Sequence, residues 1–86
     1  MVRVFIPASL RKLTGNQSQI DVEAATLREA IEDLDRRCPG IGEQICEADG
    51  LTPTLQVAID NTMTRRMSAP LKPDSEIHFL PAIGGG

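Results

Sequence analysis

The chain closes on Leu80-Pro81-Ala82-Ile83-Gly84-Gly85-Gly86, and three consecutive glycines at the end of a sequence call for a chemical reason. Glycine lacks Cβ, so such a segment can thread a cleft too narrow for any side chain and bend to present its terminal carboxylate. Six residues from Pro81 to Gly86 can extend roughly 20 Å, enough to cross an enzyme wall while the preceding domain stays outside. A terminal carboxylate with a pKa of about 3.3–3.7 is ionised at neutral pH, and an anion resists nucleophilic attack. Transfer of AMP from ATP would make it an acyl adenylate, and attack by a sulfur nucleophile would then leave a thiocarboxylate. The sequence shows no P-loop and no credible Ser-His-Asp or Cys-His set, so the activating step falls to a partner enzyme. On this reading Gly86 is the reacting residue, Gly84 and Gly85 thread the partner's active site, and the chain is a substrate that binds no cofactor while the partner uses ATP. A glycine run alone is equally what a terminal stub looks like, so the reading depends on what precedes it.

Other reactive residues are few. Cys38 and Cys46 are not in a CxxC arrangement, and His78 is the single histidine. A closed zinc site would therefore need a scattered carboxylate, and a [2Fe–2S] cluster would need four thiolates where two cysteines exist; no metal is expected. Both cysteines read as buried, inert thiols. The net charge of −3 disfavours a general grip on phosphate backbones, and Arg36-Arg37 and Arg65-Arg66 read as solvated faces. The N-terminal Met-Val-Arg-Val-Phe-Ile-Pro is shorter in apolar run than a signal peptide's core of about 7–15 residues. Nothing approaches a membrane span of about 20. A cytoplasmic chain with no nucleic-acid or membrane partner is expected.

The elements that must position the tail follow from periodicity. Val2, Val4 and Ile6 alternate with Arg3 and Phe5 in a strand closed by Pro7, and Ser18, Ile20 and Val22 alternate with polar residues in a second strand after Thr14-Gly15-Asn16. The period then changes: Leu27, Ala30, Ile31 and Leu34 fall at helical spacing. Thr26 and Glu29 form a capping box at the start, and Arg36-Arg37 and Pro39-Gly40 mark the end. Residues 41–47 add a short turn with Ile41 and Ile45 inward, before Asp49-Gly50. Leu55, Val57 and Ile59 alternate over strand 55–60, and Asn61-Thr62 turns into a short strand near 63–66. Pro73-Asp74 centres a β-turn before a last strand in which Ile77 and Phe79 alternate with Glu76, His78 and Leu80. His78 therefore faces away from the core and receives no role. This order predicts an α+β fold of the β-grasp, ubiquitin-like kind, with a mixed sheet of about five strands and one main helix on one face. The domain would span residues 1–83, with 84–86 a flexible tail.

Against that order the sequence resembles the ThiS/MoaD family of sulfur carriers along its whole length. The resemblance rests on Val2-Arg3-Val4, Thr26-Leu27, Val57-Ala58-Ile59-Asp60, Ser75-Glu76-Ile77 and, most specifically, Leu80 to Gly86. It implies that Gly85-Gly86 is the diglycine adenylated by a ubiquitin-activating-like adenylyltransferase, with Gly86 becoming the thiocarboxylate that gives its sulfur to a biosynthetic acceptor enzyme. The tail is most similar to the cysteine-biosynthesis type. Thiamin-type carriers, the small subunit of molybdopterin synthase and a ubiquitin-like modifier that conjugates to lysines stay open. A partner-docking surface is expected at Phe5, Met63, Leu80 and Ile83, with Met67 able to join it.

Overall fold

A computed structural model describes residues 1–47 and 50–81. Strand β1 (Val2–Phe5) is followed by a 3₁₀ helix (Ala8–Leu13) and strand β2 (Gln19–Val22). Next come helices α1 (Leu27–Arg37) and α2 (Ile41–Ile45), then strands β3 (Cys46–Glu47), β4 (Gly50–Leu51), β5 (Leu55–Ile59), β6 (Thr62–Thr64) and β7 (Glu76–Pro81). Five strands form one sheet in the order β2-β1-β7-β5-β6, and β3 and β4 form a separate pair. The first and last strands lie side by side and parallel at its centre, while the other neighbours are antiparallel. This is the expected β-grasp sheet with its helix on one face.

Alternation decides which face is covered. Val2, Val4, Val57, Ile77 and Phe79 turn inward and are buried against Leu27, Ala30, Ile31 and Leu34 of α1. Removing each such aliphatic side chain from water stabilises the fold by about 1.5–3 kcal/mol. Ile41 and Ile45 of α2 are fully buried, as their spacing predicts.

Helix α1 starts at its expected cap, the Thr26 Oγ1 accepting from the Glu29 N–H at 3.3 Å. The reciprocal bond differs from the predicted box, because the Glu29 carboxylate accepts from the Ala25 N–H at 2.9 Å instead of from Thr26. The Leu27 and Arg28 amides, which an isolated helix would leave unpaired, donate to the Ala69 and Met67 carbonyls. That contact seats the 67–69 segment on the helix start and turns Met67 against the core, away from the docking surface suggested for it. Met63 alone of the two points outward.

Three further expectations are corrected. The hairpin turn is Asp60-Asn61, with φ of +49° and +70°, in place of Asn61-Thr62; two consecutive left-handed residues match the twist of a two-residue hairpin. The following strand accordingly runs over Thr62–Thr64, earlier than 63–66. Arg36 and Arg37 are not simply solvated, since both bond the Asp33 carboxylate, at 2.8 and 3.0 Å. Asp33 also accepts from the Glu23 N–H at 3.1 Å, which ties α1 to the end of β2. The Arg36 bond first, then that backbone bond, hold the Asp33 carboxyl down at about 2.

Candidate functional site

The strand that leads into the glycines is β7, and its surroundings change along its length. Arg3, Val4 and Phe5 of β1 stand opposite Glu76, Ile77 and His78. The parallel pairing ends there, while the edge toward β2 continues, the Ile6 N–H donating to the Ser18 carbonyl. Leu80 and Pro81 are paired with β5 alone, opposite Gln56 and Leu55. The expected sites Ile83, Gly84, Gly85 and Gly86 lie outside the described residues, so the site visible here is the strand end that feeds them and the face beside it.

On the face opposite α1, register brings Phe5, His78, Ala58 and Met63 into one row across β1, β7, β5 and β6. The Phe5 and His78 rings stack with centroids 4.1 Å apart and planes 5° from parallel. His78 thus sits outward as the alternation predicts, and the stack, which one-dimensional spacing could not reveal, shields part of Phe5. Leu80 lies on the same face, 40% exposed, and Met63 is 52% exposed. Among the described residues these two and Met1 are the large hydrophobics left in water. Charges gather at the other end of the face: Arg3 stands 3.8 Å from Asp21, and Glu76 3.9 Å from His78. Such exposed pairs add little stability. The apolar end is therefore the one next to the tail. A depression of about 420 Å³ lined by Pro7, Ser9, Leu55, Phe79 and Leu80 flanks the end of β7. A second, of about 470 Å³, runs along Gln56, Met63, Thr64 and Arg65.

The remaining reactive groups are engaged in structure. Cys38 is buried and Cys46, expected to be buried too, is half-buried; both are free thiols. Burial pushes both thiols up, so each stays protonated at neutral pH and is a weak nucleophile. The difference at Cys46 comes from its place in the short β3 strand, which spacing did not announce. Ser75, 1% exposed, donates its hydroxyl to Asp60 Oδ2 at 2.8 Å and accepts from the Lys72 N–H at 2.8 Å. Asp60 also accepts from the Glu76 N–H at 2.9 Å; that bond and then the Ser75 hydroxyl hold its carboxyl below the usual range. The serine has no imidazole among its partners and sits at the start of β7, at the opposite end from the tail. Among the described residues, no three His, Cys, Asp or Glu side chains cluster as metal ligands would. Among the same residues no helix is long and apolar enough to cross a membrane.

Sequence reasoning missed Arg65. Read as part of a solvated doublet, it instead points its guanidinium at the backbone carbonyls of Leu51, Thr52 and Leu55.

Comparison with known proteins agrees with this architecture. The sequence model of the ThiS family matches residues 4–86. A chain of the crystallised Amycolatopsis orientalis BexX/CysO complex is similar over all of both chains, with 28% identity and a TM-score of 0.92. Mycobacterium tuberculosis CysO is 25% identical with a TM-score of 0.90, over 96% of this chain and 100% of that one. The small archaeal modifier protein 1 from Methanosarcina acetivorans, 22% identical over 99% and 95% of the two chains, shares the fold with a TM-score of 0.83. A search of curated proteins by sequence gives no match.

Proposed function

Because the chain belongs to the ThiS family, we propose that it is a sulfur carrier working through the carboxylate of Gly86. A partner adenylyltransferase binds the domain, and the Gly86 carboxylate attacks the α-phosphorus of ATP, releasing pyrophosphate and leaving an acyl adenylate. Hydrosulfide, or an equivalent supplied by a donor, then attacks the acyl carbon, AMP departs, and a thiocarboxylate remains. A biosynthetic acceptor enzyme takes the sulfur. The chain's own part is to dock and to deliver its terminus; ATP is bound and spent by the partner, in the cytoplasm.

The observation that carries the reading is the coincidence of two features on one strand. β7 ends at Pro81, from which the sequence runs on to the glycines, and the apolar patch of Phe5, Met63 and Leu80 borders that same end. A partner that covers the patch has the tail within its reach, and six residues can extend roughly 20 Å. The Amycolatopsis relative was crystallised in a complex with BexX, a precedent for a two-protein assembly. The likeness to two CysO structures, together with the Leu-Pro-Ala-Ile-Gly-Gly-Gly ending, favours an acceptor in cysteine synthesis over thiamin or molybdopterin types.

Adenylation is testable before any sulfur is involved. With the host's adenylating enzyme, labelled pyrophosphate should exchange into ATP only when the chain is present. A chain ending at Gly85 should support no exchange. Equal exchange with that shortened chain would refute the reading.

A further inference from the structure

The residue that holds the tail's point of departure is Arg65. The Asp60 N–H donates to the Glu76 carbonyl, which fixes the parity along β5. Ala58 and Gln56 turn their backbone groups toward β7, whereas Ile59, Val57 and Leu55 turn theirs toward β6. β6 ends at Thr64, opposite Val57, and offers no residue opposite Leu55. Arg65, the next residue in the chain, fills that gap with its side chain. Its Nη1 donates to the Leu55 carbonyl at 2.7 Å, and its Nη2 donates to the Leu51 and Thr52 carbonyls at 3.0 and 3.2 Å. The Thr52 N–H in turn donates to the Ile45 carbonyl at 2.8 Å, so the pinned segment is tied to α2.

What is pinned matters because of what lies across from it. Leu55 and Gln56 stand opposite Pro81 and Leu80, the stretch of β7 that β1 has already left. There the strand leading to the tail is paired with β5 alone. A planar fork of charged donors fixes several carbonyls at once, whereas an ammonium acts as one point charge.

We infer that Arg65 is a positioning residue for the reaction at the terminus: it fixes the end of β5, and through it the place from which residues 82–86 reach into a partner. Its kinetic consequence rests on the sulfur-carrier reading; its structural consequence does not. Loss of the fork loosens the strand end that carries Leu80 while Phe5 and Met63 keep their partners on β7 and β5, so turnover falls further than docking does.

The test compares the full-length wild type with Arg65→Met and Arg65→Lys. Amide hydrogen exchange should show protection lost at Leu80 and Gln56, with His78 and Ala58 unchanged. With an enzyme that adenylates the wild type, kcat should fall on the order of 10- to 100-fold, as small misplacements do, with a smaller change in KM. Arg65→Lys, the milder change should the methionine variant fail to fold, should show the same losses, reduced in size. Wild-type protection at Leu80, protection lost evenly across the sheet, or a rise in KM with kcat unchanged would overturn the assignment. Should the wild type never be adenylated, the sulfur-carrier reading falls, and exchange at Leu80 and Gln56 alone decides whether Arg65 sets the exit.

Discussion

The two ends of β7 are held by different means. At its start, Glu76 is paired with Arg3 on one side, and on the other its N–H donates to the Asp60 carboxylate, which also takes the Ser75 hydroxyl. At its finish, Leu80 and Pro81 have β5 on one side, with Arg65 bracing β5 from behind. The first arrangement fixes register from both sides; the second leaves the strand end with one paired neighbour. The proposed function uses this difference: one end of the central strand is anchored, and the other is the end from which the terminus would be presented.

The largest effect should appear in stability, between the two faces of β7. Ile77→Ala should cost about 2–5 kcal/mol, the range for truncating a buried aliphatic, whereas Leu80→Ala should cost much less because its side chain already meets water. Urea denaturation of both variants checks this, and similar costs would contradict the assignment of Ile77 to the covered face and Leu80 to the open one.

Asp60→Ala comes next. It leaves the buried Ser75 hydroxyl without its acceptor and puts alanine at a positive φ, for an expected loss on the order of 1–3 kcal/mol. Thermal melts of this variant beside Asp60→Asn, which tolerates that backbone, would separate the lost charge from the turn itself.

At the other end, Leu80→Asp and Met63→Asp should leave the melting temperature close to wild type. They should raise KM for the adenylating enzyme by about tenfold or more, the scale of a docking contact worth over 1 kcal/mol. Unchanged KM in both would remove the patch from the account.

A smaller effect is expected on acidification. The Asp33 carboxyl sits at about 2 against an ordinary 3.8, so the folded state binds that proton less readily than the unfolded chain. Its contribution is complete above 3.8 and lost as pH falls from there through about 2. Asp33→Asn should be less stable near neutrality and should flatten the fall in melting temperature over that window.

These contrasts also show what a one-dimensional pattern can carry. Alternation at Val2, Val4, Leu55, Val57, Ile77 and Phe79, and helical spacing at Leu27, Ala30, Ile31 and Leu34, located the sheet, the helix and the face between them, because burial imposes those periods. The pair β3 and β4 escaped notice because two-residue strands are too short to alternate. The hairpin was misplaced by one residue because Asp60 and Asn61 can both adopt a positive φ, and nothing in the spacing says which pair turns. Asp33, Asp60 and Arg65 act across 10 to 16 positions, through hydrogen bonds that leave no periodic trace. For the candidate site, the glycines stand in the sequence itself but lie outside the described residues, whereas the stack of His78 on Phe5 and the inward turn of Met67 depend on register and on how one loop meets a helix.

The most direct test of the carrier role is the intact mass of the protein after incubation with ATP, a sulfide source and its adenylating enzyme. The account predicts a gain matching the replacement of one oxygen by sulfur, confined to the C-terminal peptide and absent when Gly86 is removed. An unchanged mass in a folded chain whose tail is intact, or a product joined to lysine in place of the thiocarboxylate, would contradict it.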